Sequence, residues 1–359
     1  MPELPEVEYT ARQLRAAIVG ATIQGAQVFW ERTIGHPELP DFLAEIAARD
    51  ILAVRRRGKY LILDLSGDLI VTIHRRMTGN LLLLPPGWKI DTGLRESDPA
   101  AWNTRGPALR RDTAQDSDDA ARPDAHEGHP YISDGPSSWP SGAANQLNEG
   151  GASGNVGMPT MGIRPWDDID PVHLRYCRVC FNLADGRRLL YTDPRKFGRI
   201  ELWAREREME ALAGLGMEPL GDEFTVERLV GSLAGRKGAI KQVLLDQTVI
   251  AGLGNIYADE ALFYAAIHPL RPAHSLSEDE IRLLHEGIVS TLTLGIEHGG
   301  TSFSEYRDLW GEAGENYDHV RVYQQNGKPC ARCGTLIERI VVGQRSTHYC
   351  PSCQKLTGV

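Results

Sequence analysis

The segment CARCGTLIERIVVGQRSTHYCPSC, residues 330–353, decides the fold of the C-terminal part of the chain. It contains two Cys-x2-Cys pairs, Cys330 with Cys333 and Cys350 with Cys353, and sixteen residues separate the pairs. Two such pairs place four thiolates tetrahedrally around one zinc ion, and a closed set of four ligands leaves no position open for catalysis. We therefore predict one structural zinc ion in a tail too short to be stabilised by a hydrophobic core alone. The alternatives are four free thiols or two disulfides, which a reducing cytoplasm disfavours.

A second pair with the same spacing, Cys177 and Cys180, lies in a segment with the alternating apolar pattern of a strand. Residues three apart on a strand point to opposite faces of the sheet, so these two thiols are not expected to share a metal ion. We interpret them as ordinary core or surface cysteines rather than as a redox pair.

The rest of the chain divides into a strand-rich part and a helical part. Upstream of the finger, helical patterns lie at 225–233, 239–245, 256–266 and 277–298. The N-terminal part opens with a helical pattern from Val7 to Ile18 and continues with alternating strands at 60–65 and 69–73. Strands at 172–181 and 188–202 are joined by Asp185-Gly186, a dipeptide that predicts a hairpin turn.

Residues 95–165 differ in character from everything around them. These 71 residues contain five Leu, Ile or Val and no Phe, but nine Gly and eight Pro, and their net charge is −4. Such a segment cannot bury enough apolar surface to offset the entropy lost on ordering. We predict that it is a low-complexity insertion, disordered or loosely packed, within the first domain.

Charge is unevenly distributed along the chain. The formal net charge of −9 by itself argues against a nucleic-acid partner, because phosphate binding depends on Lys and Arg. Residues 320–359, however, hold six basic residues and one acidic residue, and further basic clusters lie at 55–59, 75–76, 195–196 and 236–237. These clusters indicate either a nucleic-acid surface or a set of solvated turns. The acidic N-terminus and the absence of a long apolar run predict a cytoplasmic protein with no membrane segment.

Four motifs together indicate a family. The start Pro2-Glu3-Leu4-Pro5-Glu6-Val7-Glu8, the segment Thr192-Asp193-Pro194-Arg195-Lys196-Phe197-Gly198, the run Gly252-Leu253-Gly254-Asn255-Ile256-Tyr257-Ala258 and the C-terminal zinc finger resemble the formamidopyrimidine-DNA glycosylase family. They occur in the family's order and cover nearly all of the chain outside the insertion. Leu4-Pro5 resembles the purine-repair branch rather than the related endonuclease VIII branch.

The resemblance implies an α+β fold with three parts. Residues 1–220 would form an N-terminal β-sandwich with flanking helices, interrupted by the insertion at 95–165. Residues 221–310 would form a helix–two-turn–helix DNA-binding domain, and residues 320–359 the zinc finger. Damaged double-stranded DNA would lie in the cleft between the lobes, bound by a monomer.

The resemblance also implies a bifunctional DNA glycosylase and AP lyase, which excises oxidised purines such as formamidopyrimidines and 8-oxoguanine and then cleaves the strand by β,δ-elimination. Removal of Met1 would leave Pro2 with a terminal secondary amine, and a neutral amine is a nucleophile that can form a Schiff base with the sugar. Glu3 matches the family's proton donor and Lys59 the lysine of β-elimination, while Arg345 matches the finger arginine of δ-elimination. The alternative is that Pro2 only makes the N-terminus rigid, that Glu3 is a surface acid and that Lys59 is a charge at the end of a basic turn.

Six further residues match DNA-contacting positions of the family: Met77, Arg195, Phe197, Lys237, Lys241 and Asn255. Met77, Arg195 and Phe197 would fill the gap left by a flipped base, because Met and Phe can wedge between bases and Arg can bind the orphaned partner. A core methionine is the alternative for Met77. The segment 311–317 resembles the family's loop over the flipped base, and either His173 or Tyr176 stands where the family often has a DNA-contacting histidine.

Two other functions remain open at this level. One is an endonuclease VIII-like glycosylase for oxidised pyrimidines, against which the segment 311–317 argues. The other is a catalytically silent protein that binds damaged DNA, which would not need Pro2, Glu3, Lys59 and Arg345 as a set. The preferred lesion, the preference for the opposite base and the role of the insertion do not follow from the sequence.

Overall fold

The computed structural model describes residues 2–91, 108–111, 175–303 and 305–356. The predicted insertion at 95–165 therefore lies outside the described residues, except for one short strand at 108–111. No helix among the described residues is long and apolar enough to cross a membrane.

The strand-rich domain contains two helices at its start and most of the strands of the chain. In chain order these elements are α1 (Leu4–Ile18), β1 (Thr22–Val28), β2 (Ile34–His36), α2 (Leu39–Ile46), β3 (Arg49–Arg57), β4 (Tyr60–Leu65), β5 (Leu69–His74), β6 (Asn80–Leu84), β7 (Trp88–Asp91), β8 (Ala108–Arg111), β9 (Cys177–Leu183), β10 (Arg188–Thr192), β11 (Arg199–Ala204) and the short helix α3 (Glu208–Ala211). The helix predicted from Val7 to Ile18 and the strands predicted at 60–65 and 69–73 are confirmed, with shifted ends.

Nine of these strands form one sheet in the order β2-β11-β5-β4-β3-β1-β9-β10-β6. The sheet has two halves, because β1 pairs with β3 only through Thr22 with Asp50 and Ile23 with Arg49. Both halves contribute side chains to one hydrophobic core, which is the arrangement of a sandwich. The apolar face of α1 packs into the same core, so the N-terminal helix is an integral part of the domain.

Two predictions for this domain need correction. The predicted strand at 188–202 is broken, because residues 193–198 form a turn between β10 and β11. Pro194 has no N–H for a ladder, and the Asp193 carboxylate accepts the N–H groups of Phe197 and Gly198 instead. In addition, part of the segment predicted to be loosely packed forms the strand β8, which pairs with β7.

The helical domain follows the sequence pattern closely. Its helices are α4 (Val226–Leu233), α5 (Ile240–Leu245), α6 (Asn255–Tyr264) and α7 (Glu278–Glu297). Side chains of Thr225 and Ser277 accept N–H groups at the starts of α4 and α7, which explains where these helices begin. The domain has a separate core, and Leu4 of α1 is the residue of the N-terminal helix that enters it.

The C-terminal segment contains a hairpin of β12 (Glu338–Val342) and β13 (Arg345–Tyr349). Its small core combines Val322, Ile337, Cys330 and Cys350 with Phe263 of α6. The finger core therefore includes one aromatic ring of the helical domain.

Candidate active site

The N-terminus of the chain is held at the junction between the strand-rich and helical domains. Pro2 is buried there. The N–H of Leu4 donates to the carbonyl of Gly252 at 3.1 Å. The carboxylate of Glu6 accepts the N–H of Glu3 at 2.7 Å, as acidic residues do in the first turn of a helix. The first turn of α1 is thus fixed at both sides.

Glu6 also binds the helical domain directly. Its second carboxylate oxygen accepts the hydroxyl of Tyr257 at 2.7 Å and the N–H of Thr301 at 2.8 Å. The side chain is only 1% exposed. The two hydrogen bonds named here and the one from the N–H of Glu3 therefore compensate the cost of burying its carboxylate. Glu6 therefore determines where the N-terminal residues lie.

The carboxyl group of Glu3 is 2% exposed and lies at the start of α6. One oxygen accepts the N–H of Ile256 at 3.2 Å, and the other is buried without a hydrogen-bond partner among the described residues. Burial raises the pKa of Glu3, and the charge of Lys59 opposes part of that increase. A raised pKa favours the protonated carboxyl group, which is the form that a general acid requires.

Lys59 lies at the turn between β3 and β4, and it is 8% exposed. Its ammonium group donates to the carbonyl of Leu253 at 3.1 Å. Burial lowers the pKa of Lys59, the charges of Glu3 and Glu6 act in the opposite direction, and Arg345 lowers it further. A lowered pKa suits a lysine that exchanges protons near neutral pH.

Glu218 holds the turn that presents Lys59. Its carboxylate accepts from Arg56 at 2.6 Å, from Arg57 at 3.0 Å and from the N–H of Gly58 at 2.9 Å. Sequence reasoning missed this residue, because it lies about 160 positions away and belongs to no motif.

Gln247 holds the other side of the Lys59 contact. Its amide donates to the carbonyl of Leu253 at 2.8 Å, and its oxygen accepts the N–H of Gly252 at 3.0 Å. The carbonyl that binds Lys59 is therefore positioned by a side chain that carries no sequence signal of its own.

Arg345 is the first residue of β13 and its side chain is exposed. Its charge lies near enough to lower the pKa of Lys59 and of Lys241. The structure thus brings Glu3, Lys59 and Arg345 from three separate parts of the chain to one region.

Lys241 does not match the expectation of a basic DNA contact. It is 0% exposed and its ammonium group lies 2.5 Å from the Asp259 carboxylate. Because it sits on the inward side of α5, it is not free to reach a phosphate in this structure. Lys237, by contrast, is exposed just before α5, and Asn255 is half-buried at the start of α6.

The three predicted gap-filling residues project from two neighbouring turns of the sandwich. Met77 is 38% exposed and Phe197 is 50% exposed, so Met77 is not a core methionine. Arg195 is also exposed, and its guanidinium carbon lies 4.9 Å from the centre of the Phe197 ring. Exposed apolar side chains beside a guanidinium are suited to contact with unstacked bases.

Asp193 joins these two turns. Its carboxylate is 0% exposed and accepts the N–H of Arg195 at 3.1 Å, the N–H of Phe197 at 2.8 Å and the hydroxyl of Thr78. Thr78 follows Met77 directly, so one buried carboxylate fixes both turns. The sequence motif contained Asp193, but its role depends on a contact across 115 positions.

We predict that Asp193→Ala weakens binding to duplexes carrying a lesion by tenfold or more. The reason is that several buried donors lose their acceptor, at about 1–3 kcal/mol for each unsatisfied group. Affinity for a lesion duplex, measured at fixed salt, tests this expectation. Asp185→Ala is the matched control, because Asp185 also accepts a backbone N–H but in an exposed hairpin; equal affinities for both variants would refute the role.

The four cysteines of the finger have the geometry of a metal site. Their sulfur atoms all lie within 4.8 Å of one another, with Cys330 to Cys353 at 4.0 Å and Cys333 to Cys350 at 3.5 Å. A tetrahedron with Zn–S bonds of about 2.3 Å has sulfur atoms roughly 3.8 Å apart, so the four thiols fit zinc. No other such ligand group occurs in the part of the chain that the structure describes.

Cys177 and Cys180 have no part in that site. Both are buried on β9, and their thiols contact different oxygens, the carbonyl of Val179 and the side chain of Asn182. Burial raises the pKa of both thiols, to about 12 for Cys180. Thiols that stay protonated are unreactive, in agreement with the interpretation as core cysteines.

Three segments of the chain match models of known protein families. The chain matches the Formamidopyrimidine-DNA glycosylase N-terminal domain at residues 1–117, the Formamidopyrimidine-DNA glycosylase H2TH domain at 215–307 and the zinc finger found in FPG and IleRS at 327–356. The Formamidopyrimidine-DNA glycosylase of Roseiflexus sp. (strain RS-1) is 37% identical, over 99% of this chain and 100% of the relative. The chain belongs to the formamidopyrimidine-DNA glycosylase family. The prediction of one structural zinc site is confirmed with it.

Solved structures of a formamidopyrimidine-DNA glycosylase resemble the chain along its whole length. The Lactococcus lactis Fpg in complex with DNA containing an abasic site is 27% identical, with a TM-score of 0.70 over 99% of this chain and 100% of that one. The same protein bound to DNA containing Fapy-dG has a TM-score of 0.69 at the same identity and coverage. Another complex of that protein contains an oxidised pyrimidine, with a TM-score of 0.70, 27% identity and the same coverage.

One buried residue near Lys59 was not predicted as part of the candidate site. His74 ends β5, opposite Tyr60 in the pairing with β4, and its Nδ1 accepts the N–H of Arg76 at 3.1 Å. Burial, together with the charges of Arg76 and Lys59, lowers the pKa of His74 to about 3. The ring is therefore neutral in the cell and presents Nε2 as a donor. Its place directly before the basic residues 75–76 and three residues before Met77 was a signal that could have been used.

The segment that resembles the glycosylase lid is attached at its C-terminal end. The N–H of Glu315 donates to the carbonyl of His298 at 2.9 Å, and that of Asn316 to the carbonyl of Gly300 at 3.1 Å. These contacts place the segment beside Thr301, which Glu6 binds.

Of the two candidates for the DNA-contacting histidine position, His173 lies outside the described residues. Tyr176 is half-buried, and its carbonyl accepts the N–H of Asp193.

We predict that Cys330→Ser, or removal of zinc by a chelator, unfolds the finger and abolishes DNA binding while the sandwich stays folded. Zinc binding supplies folding free energy to so small a unit, and the finger carries Arg345. Zinc content, duplex affinity and hydrogen exchange of the sandwich measure the three effects. Cys180→Ala is the control and should retain one zinc ion; tight duplex binding without metal would contradict the account.

Proposed function

We propose that this glycosylase excises oxidised purines, formamidopyrimidines and 8-oxoguanine, from duplex DNA and then cleaves the strand as an AP lyase. The observation that carries the proposal is the convergence of Glu3, Lys59 and Arg345 beside the buried Pro2. The names of the relatives and the Lactococcus lactis complexes with damaged DNA support it. Since all these residues come from one chain, we also propose that it acts as a monomer.

The first step uses the amine of Pro2. Once Met1 is removed, the neutral secondary amine attacks C1′, and the bond from C1′ to the damaged base breaks with its electron pair on the base nitrogen. The proton that the amine loses goes to that nitrogen. The C1′–O4′ bond then opens, its electron pair stays on O4′, and Glu3 supplies the proton. The product is an iminium ion that links Pro2 to the sugar. The raised pKa of Glu3 favours the protonated carboxyl group, which is the form that this step uses.

The second step cleaves the strand. The iminium makes the C2′ hydrogen acidic, so a base removes it and the 3′-phosphate leaves in β-elimination. Lys59 is the group proposed to exchange the proton, because its pKa is lowered by burial. Arg345 is proposed to bind the second phosphate, and a guanidinium can contact two of its oxygens at once. That phosphate leaves in δ-elimination.

We predict that the rate of base excision has a bell-shaped pH profile. The rate should rise with pH as the Pro2 amine deprotonates, near pH 8 if the amine is unperturbed, about the value for an α-amino group. It should fall again as pH rises through the raised pKa of Glu3, because the donor then loses its proton. Glu3→Gln cannot titrate, so it should lose the alkaline limb and about 10²-fold to 10⁴-fold in rate. Single-turnover base release is measured across the pH range, and duplex affinity is the control. An alkaline limb that persists in Glu3→Gln would refute the assignment of Glu3 as the proton donor.

The function is tested with duplexes that each carry one defined lesion, incubated with borohydride to trap the iminium. Faster trapping on 8-oxoguanine and formamidopyrimidine duplexes than on oxidised-pyrimidine duplexes is expected. A Lactococcus lactis complex contains an oxidised pyrimidine, so trapping on a pyrimidine lesion alone does not distinguish the two functions. The ratio of the trapping rate on oxidised purines to that on oxidised pyrimidines does. Faster trapping on pyrimidines would support the endonuclease VIII-like alternative. Tight binding with no trapping on any lesion would instead indicate a silent damage-binding protein.

A further inference from the structure

Arg345 is attached to the helical domain through the residue that follows it. The carbonyl of Ser346 accepts the ammonium group of Lys241 at 3.1 Å and the amide of Asn255 at 2.9 Å. Both donors come from the helical domain, from α5 and from the start of α6. The backbone at the start of β13 is therefore held from the buried side, while the Arg345 side chain is exposed on the other.

Asp259 of α6 organises this attachment. Its carboxylate is 0% exposed, and one oxygen binds Lys241 at 2.5 Å. The other oxygen accepts the N–H of His348 at 2.9 Å and lies 3.3 Å from His348 Nδ1. One carboxylate thus binds β13 twice, directly at His348 and through Lys241 at Ser346.

A fully buried ion pair is a poor way to gain stability. The cost of removing both charges from water commonly equals or exceeds their attraction, and apolar residues of similar size stabilise a core as well. Such pairs are better explained by the geometry they impose. Here the pair fixes the distance between the start of β13 and Lys59, whose pKa is lowered by the charge of Arg345.

We propose that Asp259 is a positioning residue for Arg345 and thereby for the second elimination. It acts through Lys241 and His348 and does not touch DNA. The inference rests on the proposed lyase function. It assigns Asp259 no part in base excision, because neither of its oxygens contacts Pro2 or Glu3.

The neighbouring residue provides a matched control. Glu260 is also buried on α6 and also binds the C-terminal segment, since its carboxylate accepts the N–H groups of Arg321, Val322 and Tyr323 at 2.8–2.9 Å. Those residues precede the finger, whereas Asp259 contacts β13 itself. Glu260→Gln keeps one oxygen as an acceptor and replaces the other by an amide nitrogen, so it tests for general loosening of the attachment.

The experiment compares the full-length wild type, Asp259→Asn and Glu260→Gln on a duplex with an abasic site and on one with 8-oxoguanine. Products of β-elimination and of β,δ-elimination carry different 3′ ends and separate on a gel. For Asp259→Asn we expect the ratio of δ- to β-product to fall about tenfold, with base excision within twofold of the wild type and zinc content unchanged. Glu260→Gln should keep the wild-type ratio.

Asp259→Glu is the second variant, and it is used if Asp259→Asn does not fold. It keeps the charge but is longer by one methylene, so the start of β13 shifts and the product ratio should fall. An unchanged ratio in a folded, zinc-loaded variant would overturn the inference, and so would an equal loss of excision and both eliminations. Absence of borohydride trapping in the wild type would instead overturn the proposed function, which separates the two failures.

Discussion

A protein whose Pro2 amine is blocked by a retained N-terminal tag is expected to lose both base excision and strand cleavage. The tag converts the amine to an amide, whose nitrogen lone pair is delocalised and cannot attack C1′. The loss should be about 10³-fold or more, the order found when a covalent nucleophile is removed from an enzyme. Single-turnover assays on an 8-oxoguanine duplex measure it.

The tagged protein supplies its own control. Duplex affinity should be retained, because the proposed contacts at Lys237, Asn255 and the finger do not involve the amine. Cleavage of the tag by a protease that leaves Pro2 as the first residue should restore full activity. Pro2→Gly leaves a primary amine and should keep part of the activity. Excision by a verified tagged protein at the wild-type rate would exclude Pro2 and direct attention to Lys59.

Gly254→Ala is expected to reduce base excision by about 10²-fold to 10⁴-fold, the contribution of a positioned general acid. A Cβ at this position would lie 2.5 Å from both carboxylate oxygens of Glu3. Because Glu3 is buried against α6, its carboxyl group cannot give way without leaving the site. The substitution therefore displaces the carboxyl group of Glu3, although it replaces none of the proposed catalytic residues.

Gly231→Ala is the matched control for this variant. Gly231 lies in helix α4, and a Cβ there would meet no atom within 4 Å, so excision should be unchanged and stability the same or slightly higher. The variants should have similar duplex affinities. Wild-type excision by folded Gly254→Ala would mean that the position of the Glu3 carboxyl group does not matter for the chemistry.

The parts predicted from sequence are those with local signals. Four cysteines at a metal spacing define the finger without reference to the rest of the chain. The helices α4 to α7 follow from apolar periodicity. The family motifs placed Glu3, Lys59 and Arg345 in one site before any geometry was known.

The parts that were missed depend on contacts between distant residues. Glu218 and Gln247 hold the two sides of the Lys59 contact, and Asp193 joins the turns of Met77 and Phe197. A carboxylate or amide that accepts backbone N–H groups leaves no periodic pattern. These roles therefore became visible only once the elements were assembled.

The burial of Lys241 could not be predicted from the sequence, for a specific reason. A lysine in a basic stretch is normally solvated, and Lys237 in the same stretch is. Lys241 lies four residues further on, at the second position of α5, where the helix faces α6 and the finger. Its burial became possible only because Asp259 supplies the compensating charge.

The most direct test of the account is to identify the residue that becomes attached to DNA. The processed wild type is incubated with an 8-oxoguanine duplex and borohydride, the complex is digested, and the modified peptide is sequenced by mass spectrometry. We expect one adduct, on the nitrogen of Pro2 in the N-terminal peptide. An adduct on a peptide containing Lys59, or on any other lysine, would contradict it.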